Sequence, residues 1–213
     1  MIWNDDTLPE PLHRQLVRAN YLDSDDSRQL VESSLHDLDP RSRVLALRAG
    51  NRHSWLETPA WRAALKDNDA AVRREAATLL SQRSDVVVTV RELLIERLDD
   101  PDDLVVEAAA FALGELREGP AVDRLMEVAT LHEDARCRES AIAALGMIGD
   151  ERSCTVIIAA LNDKPPVRRR AIVALANFEG PEVDAALEAA KEDRDWQVRA
   201  AVDQLQRSPL ADD

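Results

Sequence analysis

The side chains best suited to metal binding, proton transfer or nucleophilic attack are few and scattered in this chain. Four histidines (His13, His36, His53 and His132) and two cysteines (Cys137 and Cys154) lie in separate segments. Their spacing suggests no Ser-His-Asp or Cys-His arrangement, and there is no glycine-rich phosphate loop. His132-Glu133 is one isolated pair, whereas an iron centre needs several converging ligands. The acidic run Asp99-Asp100-Pro101-Asp102-Asp103 lacks the D-x-D-x-D-G spacing and the distal glutamate of a calcium loop. No catalytic residue, metal site or cofactor is therefore expected. The two cysteines are either a redox pair or two small packing residues. Met1–Asp6 carries no basic, apolar leader, and no apolar run is long enough to span a bilayer. A reduced, cytoplasmic protein away from membranes is the expectation.

The formal net charge of −14 narrows the partners. A uniformly acidic surface repels nucleic acid and anionic lipid. It favours another protein with a basic or mixed surface.

The side chains with chemistry that do recur are arginine and aspartate, in a fixed register. The clearest unit is Leu65–Leu80, with the skeleton L-x-D-x-x-x-x-V-R-x-x-A-x-x-L-L. Its valine position returns as Ser42, Val72, Val105, Cys137, Val167 and Val198, at steps of 30, 33, 32, 30 and 31 residues. Four residues on stand Ala46, Ala76, Ala109, Ala141, Ala171 and Val202. Offsets 0, +4, +7 and +8 mark one face of an α-helix, which must be buried. The aspartate of the preceding turn appears as Asp37, Asp67, Asp100, Asp163 and Asp193. An arginine follows the anchor as Arg43, Arg73, Arg138, Arg168 and Arg199, with Val106 breaking the series in the third copy.

Elements that position these residues follow from the same period. Each anchor helix is preceded by another amphipathic segment: roughly 26–36, 60–66, 86–98, 121–131, 150–161 and 182–191. Several open on Thr58-Pro59, Gly119-Pro120 or Gly180-Pro181. Short turns between the two helices make them antiparallel. The leader Pro9–Asn20 reads as a lone second helix. The predicted fold is all-α: a right-handed α-solenoid of about six antiparallel helix pairs plus an N-terminal capping helix. It is expected as one domain, with a cap over 1–25, six repeats over 26–206 and a flexible tail over 207–213.

This skeleton resembles the short HEAT repeat of about 30 residues, of the phycobilin-lyase-like kind. In proteins of that type the turn aspartate and the +1 arginine form a ladder between successive repeats, and partners bind along the concave face. The resemblance therefore implies a structural ladder of Asp37, Asp67, Asp100, Asp163 and Asp193 with Arg43, Arg73, Arg138, Arg168 and Arg199; an anion site lined by the arginines is the alternative. On the helix wheel, +1 points towards the neighbouring second helix, so its arginine reaches the next aspartate or turn carbonyls. The stacked turns predict an acidic edge, either a row of helix caps or a landing strip for a basic partner. Opposite the core, offsets +2, +6 and +9 select a concave surface. Its partner-binding candidates are Arg74, Thr78, Glu107, Phe111, Glu139, Ala143, Arg169 and Val173, with Ser81, Gly114, Gly146 and Ala176 at +9. Trp61 is expected in the core, Trp55 in a loop, and Trp3 and Trp196 as caps or, if exposed, binding hot spots.

Enzyme families with this repeat set the alternatives; of these, the DNA glycosylases need a cationic groove, which a net charge of −14 disfavours. Deoxyhypusine hydroxylase places His-Glu pairs at the start of its second helices; here Arg74-Glu75 and Arg138-Glu139 keep the glutamate and lose the histidine. A phycobilin-lyase-like or chaperone-like subunit acting on a chromophore or cofactor protein is the alternative to the leading expectation. That leading expectation is a non-catalytic protein-interaction scaffold, binding on its concave face or acidic edge.

Overall fold

In the computed structural model, residues 10–207 are described; Trp3 and nearly all of the expected tail fall outside them. Thirteen α-helices and no strand occur among the described residues. They divide into two compact units between Leu79 and Leu80.

The first unit holds α1 (Leu12–Ala19), α2 (Asp25–Ser34), α3 (Pro40–Arg52), α4 (Thr58–Leu65) and most of α5 (Ala70–Leu80). The helix starts follow their chemistry. Ser24 accepts the Ser27 N–H, Asp39 accepts the Arg41 N–H, and Pro40 and Pro59 occupy first-turn positions where no N–H is needed. The lone α1 packs on both α2 and α3, around a core of Leu16, Ala19, Val31, Ala46 and Ala49. Trp61 is fully buried. Trp55 is half-buried in the loop before α4 and stacks on His53, with ring centroids 4.3 Å apart.

The second unit holds α6 (Ser84–Glu96), α7 (Asp103–Glu115), α8 (Val122–Leu131), α9 (Ala135–Ile148), α10 (Cys154–Ala159), α11 (Pro165–Leu175), α12 (Pro181–Ala190) and α13 (Trp196–Arg207). Short 3-10 turns flank several first helices, at Arg97–Asp99, Gly119–Ala121, Glu151–Ser153 and Ala160–Asn162. The second helices lie side by side: α7 on α9, α9 on α11, and α11 on α13. Their partners α6, α8, α10 and α12 back them from the other side.

The predicted buried face needs one revision. Anchors and +4 residues are buried as expected, but +5 residues Ala110, Ile142 and Ile172 are buried too. So are Ser81, Gly114 and Gly146 at +9, which the wheel placed on the concave surface. On α7 and α9 the next second helix packs on that side. A Cβ on Gly114 would stand 2.7 Å from the Ala144 Cα, and one on Gly146 would stand 2.6 Å from the Ala174 Cβ. Glycine at +9 therefore lets the next helix's +7 alanine approach. The solvent-facing arc becomes +2, +3, +6 and +10, rotated by roughly 40° from the expected line at 100° per residue.

Candidate interaction groove

Two layers of side chains define the candidate site: a framework that holds the repeats, and a groove that the framework leaves open.

The framework is built on the turn before each second helix. The first aspartate of the turn receives the N–H two residues on: Asp39 N to Asp37 at 2.8 Å, Asp69 N to Asp67 at 2.8 Å, Asp102 N to Asp100 at 3.1 Å, and Asp195 N to Asp193 at 2.8 Å. The second aspartate caps the helix, as when Asp102 accepts the Leu104 N–H at 3.0 Å or Asp134 the Arg136 N–H at 2.7 Å. In the shorter turn at 163, Asp163 accepts the Lys164 N–H.

The +1 arginines cross from repeat to repeat. Arg43 donates through Nε and Nη2 to both oxygens of Asp67 at 2.8 and 2.7 Å, and through Nη1 to the carbonyl of Asp37 at 2.7 Å. Arg138 repeats this with Asp163 at 2.6 and 2.7 Å and the His132 carbonyl at 2.7 Å. Arg168 does so with Asp193 at 2.9 and 2.8 Å and the Asp163 carbonyl at 2.8 Å. Arg73 and Arg199 donate to the carbonyls of Asp67 and Asp193 respectively, each in its own turn. Fork-on-carboxylate geometry of this kind fixes register as well as adding energy. The Arg138 and Arg168 guanidinium groups hold Asp163 and Asp193 below the usual carboxylate range, chiefly by these hydrogen bonds.

One joint departs from the pattern on both sides. Val106 stands where the arginine would be, and five residues before the Cys137 anchor the turn position is His132, not aspartate. His132 Nδ1 accepts the Asp134 N–H at 3.2 Å, the role an aspartate oxygen plays elsewhere. Loss of the arginine thus accompanies loss of its carboxylate. In the sequence Val106 is an evident break in the arginine series, whereas His132 is identified only by its −5 register.

His132, Asp103 and Cys137 form the one trio of metal-type donors found among the described residues, with donor atoms within 4.8 Å of one another. Their hydrogen bonding describes a packed turn. The Asp134 N–H fixes the imidazole proton on Nε2, and the Cys137 thiol donates to the Asp103 carbonyl at 3.3 Å. Burial pushes that thiol up to about 12. Cys137 and Cys154 are both buried and free.

The groove runs over the outer face of the second unit's second helices. Between α7 and α9 lies a concavity of about 320 Å³. Glu107, Phe111 and Glu115 wall it from α7, with Ser140, Ala143 and Met147 opposite on α9. Between α11 and α13 lies another, of about 280 Å³, lined by Arg169, Val173, Trp196, Gln197, Ala200 and Gln204. Arg170 borders both. Phe111, Val173 and Trp196 are 49%, 51% and 67% exposed, large apolar side chains left open on this one face.

Of the eight concave-face candidates, Glu107, Phe111, Glu139 and Ala143 line the first concavity, and Arg169 and Val173 the second. Arg74 and Thr78 are exposed on α5, where Thr78 donates to the Arg74 carbonyl at 2.9 Å. Glu115, Ser140, Met147 and Arg170 were not foreseen; they sit at +10 and +3, the arc opened by the rotation described above. A further cavity of about 360 Å³ lies within the first unit, lined by Val31, Leu35, Leu47, Trp55, Leu56 and Ala60 among others. Among the charged groups around it, Arg28 pairs with Glu32 at 2.9 Å and Arg43 with Asp67 at 2.7 Å.

The HEAT-repeat family description matches residues 58–146, 90–166 and 132–206, most of the chain. The chain is a HEAT-repeat protein. No curated protein matches it in sequence. Among solved structures, this HEAT protein is similar to the complex of CpcE and CpcF of phycocyanin lyase from Nostoc sp. PCC7120. They share 21% identity over 95% of this chain and 79% of that one, with a TM-score of 0.64. It is also similar to YibA of E. coli, at 17% identity over 92% and 74% of the two chains, with a TM-score of 0.62. A designed armadillo repeat protein in complex with the peptide (KR)4 matches at 15% identity over 92% and 98%, with a TM-score of 0.56. Likenesses at this identity establish the helical-repeat fold alone. No helix among the described residues is long and apolar enough to cross a membrane.

Proposed function

We propose that this HEAT protein is a non-catalytic adaptor, working in the cytoplasm, that holds a segment of a partner protein in the groove over α7, α9, α11 and α13. The observation that carries the reading is the exposure of Phe111, Val173 and Trp196 along the second helices of this unit, with Phe111 beside Glu107 and Glu115 and the other two beside Arg169. Those two carboxylates make no hydrogen bond or ion pair among the described residues. Glu107 meets Arg136 only through longer-range attraction, and large apolar side chains next to carboxylates without a bonded counter-charge are what a partner covers. The acidic edge is the weaker choice of surface, because its aspartates already cap helices or bind arginines. Helical-repeat architecture supports peptide capture in general, as in the designed armadillo protein with its basic peptide.

The test is photo-crosslinking in the native host, with p-benzoylphenylalanine at position 111, 173 or 88. Val88 is 65% exposed on α6, outside the groove. Positions 111 and 173 should give the same discrete adduct and position 88 none. Equal adducts from position 88, or none from the groove positions, defeat the proposal.

A further inference from the structure

The groove's charges are segregated, and that segregation specifies the occupant. In the α7–α9 concavity, Arg136 is engaged by Asp134 at 2.7 Å and Arg170 by Glu139 at 3.4 Å. Glu107 and Glu115 remain, one helical turn to either side of Phe111. The α11–α13 concavity has no carboxylate in its lining. There Arg169 donates to the neutral amide of Gln197 at 3.0 Å. One end of the groove is thus net negative, around Phe111, and the other net positive, beside Val173.

Shape selects the backbone conformation. Concavities of about 320 and 280 Å³ each hold one or two side chains; the thin residues Ala143 and Ser140 line the first, and Arg170, paired with Glu139, borders both. Neighbouring helices sit roughly 8–10 Å apart, so the two poles are about 16–20 Å apart. A chain rising about 3.1–3.4 Å per residue covers that distance in five or six residues. A polyproline-type turn of about 9 Å also matches the helix spacing, which brings every third side chain over successive grooves.

Resting on the reading of this groove as the partner site, we infer that the bound segment is an extended peptide with a basic residue and an acidic residue five or six positions apart, separated by an apolar residue. The cation sits between Glu107 and Glu115, with its alkyl stem on Phe111. The anion meets Arg169 beside Trp196.

The test uses three fluorescein-labelled octapeptides in anisotropy titrations at low ionic strength. The first is Lys-Arg-Ala-Leu-Ser-Ala-Glu-Glu. The second has the same composition with its charges interleaved at the centre, Ala-Leu-Lys-Glu-Arg-Glu-Ser-Ala, so that no basic and acidic residue stand five or six positions apart. The third is (Lys-Arg)4. The segregated peptide should bind at least about ten-fold more tightly than the other two, with the ratio shrinking as salt screens the charges. Arg169→Gln should abolish its advantage over (Lys-Arg)4. Glu107→Lys with Glu115→Lys should turn preference to a peptide acidic at both ends. Equal affinity for the segregated and interleaved peptides, or tighter binding of (Lys-Arg)4, overturns the inference. So does failure of all three peptides while crosslinks persist at position 111, an outcome that leaves the groove itself standing. Crosslinks from position 88 in place of 111 would overturn both.

Discussion

Val106→Arg combined with His132→Asp should rebuild the missing rung of the Arg–Asp ladder between α7 and the turn before α9. At the joints that carry the rung, both partners are largely covered: side-chain exposure is 14% and 20% for Arg138–Asp163, and 4% and 15% for Arg168–Asp193. Fully exposed pairs couple by about 0.2–1 kcal/mol, and breaking a buried pair costs about 3–5 kcal/mol. A bidentate pair at this intermediate burial should couple by about 2 kcal/mol. Val106 is almost fully buried, so Val106→Arg alone places a guanidinium without a carboxylate and should cost about 2–4 kcal/mol. His132→Asp alone keeps an acceptor for the Asp134 N–H and should cost about 1 kcal/mol or less. The double variant should then be about 2 kcal/mol more stable than the sum of the two losses. Urea unfolding followed by far-ultraviolet circular dichroism gives the four stabilities of this cycle. A coupling at or below zero would refute the idea that +1 on one second helix faces the −5 register of the next.

Other consequences are more direct. Gly114→Ala and Gly146→Ala should each destabilise by about 1–3 kcal/mol in thermal melts, despite alanine's better helix propensity, because the new methyl would stand within 3 Å of Ala144 or Ala174. Asp163 and Asp193 are held below their ordinary value by Arg138 and Arg168. The stability they contribute is therefore fully present above an unfolded pKa of about 3.9 and is lost as pH falls through their depressed folded values. Melting temperature should drop steeply below about pH 4, and Arg168→Met should flatten part of that slope. The Cys137 thiol, pushed up to about 12 by burial, should ignore iodoacetamide at neutral pH until the chain is unfolded in urea, as mass spectrometry would show.

The fold was legible because its determinants are local and repeated six times. Anchors such as Val72, Val105 and Val167 recur with alanine four residues on, and that pattern fixes both helix and buried face. The turn aspartates were readable for the same reason, since capping is a short-range interaction. Facts set by a neighbouring helix were harder to see. The wheel alone put Gly114 and Gly146 in solvent, yet each receives an alanine from the next helix. That error hid Glu115 and Met147 at +10, and with Glu115 half of the groove's acidic pole, whose other half, Glu107, the wheel did place on this face. His132 was missed because it does an aspartate's work with a different side chain.

The most direct test of the adaptor reading is the affinity of the crosslinked partner for the chain carrying Phe111→Ala and Val173→Ala. Each truncation removes a half-exposed apolar side chain at the centre of the groove and should cost about 1–2 kcal/mol of binding. Together they should weaken the complex by about 30-fold or more in isothermal titration calorimetry, with helicity and melting temperature unchanged. An affinity equal to that of the unaltered chain would contradict the groove as the site of partner binding.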